Sequence, residues 1–289
     1  MAKSTTKRGN GGKAKEPSAD NPDKGFTRQE IRAVEDKTHP RTIVTYEVVR
    51  RAGLAEMERP AWSLWWSGIA AGLSISFSLL AQAVLTMHLP DEPWRPLIAS
   101  FGYSVGFLMV VLSRQQLFTE STITAVIPVT ASPSWNSIAH MGRLWGIVLA
   151  ANLTGTLLAA LFCAYAPALP AETLEGMREI SRHAVDHAWF ELVFRGISAG
   201  FLVAAMVWLM PGAEGNQFHV ITLMTWLIAV GEFSHIIAGS MEAFLLAVSG
   251  ELAVMPMLFG YILPVLIGNM IGGTVLFAVI AYAQVMEEI

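Results

Sequence analysis

A chain of 289 residues that is 53% hydrophobic and only 15% charged, with mean hydropathy +0.48, lacks the balance of an ordinary soluble domain. Its charge is uneven: 13 of the 19 Lys and Arg residues lie in positions 1–60, and no Lys follows Lys37. A single cysteine, Cys163, excludes an intramolecular disulfide and any Cys-based metal cluster.

Residues 1–42 read as a disordered cytoplasmic tail, rich in Lys, Gly, Ser, Asp and Pro in its first 25 positions. Its basic residues alternate with acids, which favours a solvated tail over a nucleic-acid-binding arm. Thr27 and Glu30 have capping-box spacing and predict a helix start. Residues 43–60 predict an amphipathic helix with Val44, Val48, Ala52 and Ala55 on one face, Arg50 and Arg51 beside it, and Pro60 at its end. Such a helix is expected to lie along the membrane surface.

Six apolar segments follow, at about 62–87, 97–129, 138–165, 188–210, 218–248 and 252–282, each long enough to span a bilayer core. The first starts too deep in the chain for a cleavable signal peptide. The predicted fold is all-α, a six-span pore domain over 61–289. Trp62, Trp65, Trp66, Trp94, Trp189 and Trp208 fall near segment ends, as an interfacial belt requires. The basic tail places the N-terminus in the cytoplasm, and six spans return the C-terminus there. The external loop 167–187 carries Arg178 and Arg182, against that rule.

Two segments are interrupted near their centres. The second reads Ser113-Arg114-Gln115-Gln116-Leu117-Phe118-Thr119-Glu120 between apolar stretches, and the fifth carries Gly231, Glu232, Ser234, His235, Gly239 and Ser240. Polar, Gly-rich breaks at bilayer depth are tolerated where the backbone lines a protein-enclosed cavity. Short matches relate the halves 61–166 and 188–286. Gly68-Ile69-Ala70-Ala71-Gly72 parallels Gly196-Ile197-Ser198-Ala199-Gly200, and Asn152-Leu153-Thr154-Gly155 parallels Asn269-Met270-Ile271-Gly272. Three spans per half is an odd number, so the halves should insert as an inverted repeat, with broken second and fifth helices meeting at mid-membrane.

Ionisable side chains at such depth point to a permeation pathway. His235, titrating near neutral pH unless perturbed, is the central candidate. Thr119 could bond His235 or its own helix. The loop charges Arg114, Glu120 and Glu232 need partners, since a lone buried charge is very costly. Arg114 is expected to pair with Glu120 or Glu232, or else to snorkel to the interface. No phosphate loop, zinc-type cluster or nucleophile motif occurs, so no cofactor, metal site or enzymatic activity is expected. Besides an anion pathway, a neutral-solute channel and a non-transporting scaffold remain open; against the former, no paired Asn-Pro-Ala loops occur.

At Arg51-Ala52-Gly53, Trp66-Ser67-Gly68, Leu117-Phe118-Thr119, 231–239 and Gly268-Asn269-Met270-Ile271-Gly272-Gly273, the chain resembles the formate/nitrite transporter family, over about 43–285. The resemblance implies an aquaporin-like six-helix protomer, a homopentamer in a bacterial inner membrane, and one pore per protomer. The implied substrates are small monovalent anions or their acids, such as formate, nitrite, hydrosulfide, acetate or lactate. It also implies roles for Thr119 and His235 at the centre, Leu117 and Phe118 at an inner constriction, and Tyr103 and Phe107 at an outer one. Asn152 and Asn269 match asparagines of the third and sixth segments. Departures are Arg114 where relatives have a small residue, Gly200 where several carry Asn, and a run from Gly231 to His235 that reads as one residue longer. The basic vestibule residue finds its nearest substitute in Arg182 or His183.

Overall fold

The computed structural model of the chain describes residues 27–30 and 41–287. Most of the expected tail, 1–42, lies outside them. In the first unit Thr27 and Glu30 form the expected reciprocal cap. The Thr27 N–H donates to Glu30 Oε2 at 2.7 Å, and the Glu30 N–H donates to Thr27 Oγ1 at 3.3 Å.

The second unit is helical throughout its described elements. Helix α1 (Thr42–Glu58) is formed, with the Val44 and Val48 face open and another face packed on protein. Val44 and Val48 are each 47% exposed, whereas Tyr46, Val49, Gly53 and Met57 are buried. Gly53 explains which face packs. A Cβ there would collide with the Thr124 carbonyl, so only glycine lets α1 seat against the chain behind it. The helix therefore packs its buried face on protein.

Five helical stretches are long and apolar enough to cross a membrane: Ala61–His88, Arg95–Leu112, Trp135–Tyr165, Trp189–Gly212 and Pro256–Val285. The first comprises α2 (Ala61–Ile75) and α3 (Phe77–His88); the second ends with α4 (Arg95–Ala99) and α5 (Ser104–Leu112). After Leu112 the chain leaves the helix, resuming as α6 (Phe118–Thr124) and α7 (Val126–Ala131). The 31-residue α8 (Trp135–Tyr165) starts at Ser134, which forms a capping box with Ser137. The predicted loop 167–187 is largely a helix, α9 (Ala171–Val185), because its apolar residues recur at helical spacing and bury Thr173, Met177 and Ser181. Then come α10 (Trp189–Leu209), α11 (Gln217–Val230) and α12 (Ile236–Val248), with a non-helical link between the last two. The final stretch holds α13 (Leu263–Met270) and α14 (Val279–Val285), each preceded by a π-type segment, Pro256–Ile262 and Ile271–Ala278.

Small residues set the packing. Helices α2 and α8 meet where a Cβ at Gly72 would collide with the Asn152 carbonyl, and one at Gly155 with the Ile69 carbonyl. Helices α10 and α13 repeat the contact: a Cβ at Gly200 would strike the Asn269 carbonyl, and one at Gly268 the Val193 carbonyl. Without a hydrophobic drive between helices in lipid, such close approach supplies the dispersion contacts that hold them together. Large apolar side chains such as Phe162, Phe194 and Phe259 point outward, each at least 59% exposed, as a face meeting lipid or another subunit requires.

Candidate functional site

The site is built on two breaks of equal length, residues 113–117 between α5 and α6 and residues 231–235 between α11 and α12. Each begins with the same helix ending. The Gln115 N–H donates to the Val110 carbonyl and the Arg114 N–H to that of Val111; Phe233 and Glu232 donate likewise to Ile228 and Ala229. This is the Schellman ending, which places one residue in the left-handed region and usually uses glycine there. Here that residue is Arg114 in one half and Glu232 in the other, both at φ 53°.

Each break is then pinned by one asparagine. Asn152 Nδ2 donates to the Gly68 and Gln116 carbonyls, both at 2.9 Å, and its Oδ1 accepts from the Phe118 N–H at 2.9 Å. Asn269 Nδ2 donates to the Gly196 and Ser234 carbonyls at 3.0 and 2.8 Å, and its Oδ1 accepts from the Ile236 N–H at 2.9 Å. Both side chains are fully buried. The helix starts at Phe118 and Ile236 leave backbone groups with no intrahelical partner, and the asparagines satisfy one donor and one acceptor at each break.

The correspondence puts Leu117 and His235 at the same place in the two halves, the extended residue before each second half-helix. His235 Nδ1 accepts from the Ala238 N–H at 3.2 Å and so caps α12. With Nδ1 accepting, the neutral ring carries its proton on Nε2, which lies 2.8 Å from Thr119 Oγ1. The Phe107 ring meets the imidazole edge-on at 4.9 Å between centroids, and Tyr103 lies next to Phe107 at 5.2 Å. Phe118 turns to Trp145, 6.0 Å away on α8. Tyr103, Phe107, Leu117, Phe118, Thr119 and His235 are all buried.

Two cavities flank this layer. One, of about 440 Å³, is lined by Tyr103, His183, His187, Glu232, His235 and Glu242 among others. The other, of about 620 Å³, is lined by Glu56, Arg59, Arg114, Gln116, Glu120 and Thr124 among others. Thr119 bonds a residue of the first cavity and is followed by Glu120 of the second. The buried trio Leu117, Phe118 and Thr119 lines neither.

The expected partners of Arg114 are a correction. Arg114 lines the second cavity and forms no ion pair with Glu120 or Glu232 among the described residues. Arg114 and Glu232 hold equivalent caps in different halves and line different cavities, which keeps them apart. Glu232 pairs instead with Arg195 Nη1 at 3.2 Å, and its other oxygen lies 3.3 Å from His183 Nε2. Glu120 keeps Oε1 buried without a hydrogen-bond partner. Of the two vestibule substitutes, His183 lines the first cavity, while Arg182 is held by Glu175 and Glu251 at 2.8 and 2.6 Å. The Arg182 hydrogen bond keeps the Glu175 carboxyl below its ordinary range.

Two residues of these cavities, and one that bonds a cavity residue, escaped the sequence reading. Glu242, buried in the first, is 3.4 Å from the Tyr261 hydroxyl. It lies seven residues beyond His235, on the same helical face, and that spacing was the available signal. Glu56 accepts from Thr124 Oγ1 at 2.7 Å and from Gln116 Nε2 at 3.5 Å. Burial pushes its carboxyl up against those two hydrogen bonds. Arg195, on α10 and outside the lining of either cavity, is brought to Glu232 only by the fold.

A family model described as Formate/nitrite transporter matches residues 44–283. The inner membrane protein YfdC of Escherichia coli (strain K12) is 39% identical over 260 residues, covering 90% of this chain and 84% of YfdC. The formate channel FocA of the same strain is 23% identical over 268 residues, 84% of this chain and 93% of FocA. Among solved structures, a pentameric formate channel with formate bound superposes with TM-score 0.69 at 21% identity, covering 78% of this chain and 98% of its own. An FNT family ion channel gives TM-score 0.74 at 17% identity, with 83% and 98% covered. The matched region runs from α1 to α14 and so contains both breaks and both asparagine pins, and the chain belongs to the formate/nitrite transporter family.

Proposed function

We propose that the chain is an inner-membrane pore for small monovalent anions of weak acids, such as formate or nitrite, which cross with a proton. In this reading the five long stretches and the interrupted α11–α12 pair make six spans. Those spans form two inverted halves whose broken second and fifth helices meet between the cavities. The printed titles of the relatives support it: FocA is a formate channel, the solved neighbour is a pentameric formate channel, and YfdC is an inner membrane protein. A homopentamer follows by that likeness, and the basic tail favours a cytoplasmic N-terminus.

The observation that carries the reading is His235 capping α12 while touching Thr119 between the two cavities. The N-terminal end of α12 carries a partial positive charge, which attracts an anion. Nε2–H engages Thr119 Oγ1, and the Thr119 hydroxyl hydrogen has no acceptor among the described hydrogen bonds, so it is free to meet a substrate oxygen. Beyond it lie Phe107 and Leu117, an apolar passage that a charged species crosses at high cost. Carboxylates line both cavities, Glu242 in one and Glu56 with Glu120 in the other. A free anion is repelled by such groups when they are ionised, whereas the neutral acid, formed when the anion takes one proton from water in a cavity, is not. The proton and the anion then leave together and no net charge moves.

Purified protein in liposomes tests this. Formate, nitrite, acetate, lactate and hydrosulfide are presented in turn with flux followed by internal pH. At least one should cross far faster than in protein-free liposomes and carry acid equivalents. Passage of water or glycerol without any of the five would favour a neutral-solute channel, and no flux at all would favour a scaffold. Either result overturns the reading.

A further inference from the structure

Three potential metal ligands converge at the rim of the His235 cavity. His183 sits in the last turn of α9, His187 in the link to α10, and Glu232 at the left-handed cap of α11. One ligand atom from each lies within 4.8 Å of the other two. His183 Nε2 is 3.3 Å from Glu232 Oε1, and the two imidazoles meet edge-on at 5.8 Å between centroids. We propose that these three side chains form a binding site for a borderline divalent transition-metal ion such as zinc, at the mouth of the cavity remote from α1.

The donor set fits that chemistry. Two imidazoles and one carboxylate suit zinc and its neighbours, and three protein ligands leave a coordination position open. Ligand atoms around zinc stand about 2.0–2.2 Å from the ion, so rotation of the exposed His183 and Glu232 side chains closes the remaining gap without moving a helix. The second layer is already in place. His187 Nδ1 lies 3.3 Å from Glu191 Oε1, which orients the ring and leaves Nε2 for the ion. Glu232 divides its oxygens: Oε2 is held by Arg195 Nη1 at 3.2 Å, and Oε1 faces His183. Arg195 itself is anchored by Glu191 at 2.9 Å and by the Glu232 carbonyl at 2.8 Å.

A bound dication would stand at the cavity mouth with its open position available to a small oxyanion. It would hold that anion there and slow passage. This consequence rests on the anion-pathway reading, whereas the metal site itself does not.

Cobalt titration of the detergent-purified protein is the direct test, because cobalt in a nitrogen- and oxygen-liganded site of low coordination number gives visible absorption bands. One equivalent per protomer should bind, with bands abolished by His183→Ala with His187→Ala and displaced by zinc. Glu191→Gln, which reaches the ion only through His187 and, by way of Arg195, Glu232, should weaken binding by about 10–100-fold. Gel filtration confirms that each variant keeps its assembly. Cobalt binding no tighter in wild type than in the double variant would overturn the site. In liposomes, zinc on the outer face should slow flux through wild type several-fold and leave the double variant unaffected. Metal bound with unchanged flux would overturn its placement at the mouth. Absence of any anion flux in metal-free liposomes would count against the pathway alone, since the cobalt result stands without it.

Discussion

The asparagine pins make a quantitative expectation. Asn152→Leu keeps a side chain of similar length but removes three hydrogen bonds at 2.9 Å from a fully buried position. The Gly68 carbonyl lies inside α2 and keeps its helical partner. The Phe118 N–H and the Gln116 carbonyl do not, because no other partner faces them within the break. Two orphaned buried groups cost about 1–3 kcal/mol each, which gives about 2–6 kcal/mol for the variant. Asn269→Leu orphans the Ile236 N–H and the Ser234 carbonyl in the same way and should cost as much. Thr154→Val is the control. It lies on the same helix, its exposed hydroxyl bonds only the Ala150 carbonyl, and its effect should stay within about 0.5 kcal/mol. Thermal unfolding in detergent reads the differences, and liposome flux reads whether the break keeps its shape. Asn152→Leu within about 1 kcal/mol of the control, with unaltered flux, would refute the idea that the asparagines hold the breaks.

Three further outcomes are expected. His235→Asn keeps a donor but cannot titrate, so its flux should lose the side chain's share of pH dependence when compared with wild type at constant free-acid concentration; superimposable pH profiles would remove His235 from proton handling. Arg114→Gly relieves a left-handed cap and breaks no ion pair, so thermal unfolding should show a gain of about 1 kcal/mol, while Glu232→Gly should gain less because it also loses Arg195 and His183; destabilisation by Arg114→Gly would mean that the side chain holds something. Hydrogen bonds from Arg50 and Arg51 lower the Glu47 carboxyl from 4.5 to about 2. A lowered carboxylate contributes stability that is fully present above its ordinary value and is lost as pH falls through about 2, so Glu47→Gln should flatten that acid limb, read by acid unfolding of the assembly. An unchanged limb would assign it to other groups.

Much of this was legible in the sequence because bilayer depth makes polar residues informative. Ser113 to Thr119, and Gly231 to His235, stood out against apolar surroundings, and Asn152 and Asn269 stood out for the same reason. The face of α1 that packs on protein was not legible, since Val49 is no more apolar than Val44 and Val48, and only the need to seat Gly53 on Thr124 selects it. The pairing of Arg114 failed because sequence gives charges but not which cavity they face. Helix α9 was hidden by its polar composition, which reads as loop when only apolar length is sought. His183 and His187 share a local spacing, but Glu232 joins them from a different segment, and no linear pattern announces such a meeting.

The two breaks repeat each other in backbone, cap and pin, yet the residue before the second half-helix is leucine in one and histidine in the other. A scaffold that would look the same from either end is thereby given a front and a back. Only one of its two matching positions can exchange a proton, so in the proposed pathway a solute arriving from the His235 cavity would meet the imidazole directly, and one arriving from the other would first pass an aliphatic side chain. Polarity of this kind costs a single codon. Placing a second histidine at Leu117 would restore the twofold likeness and offer a proton the same reception from both sides.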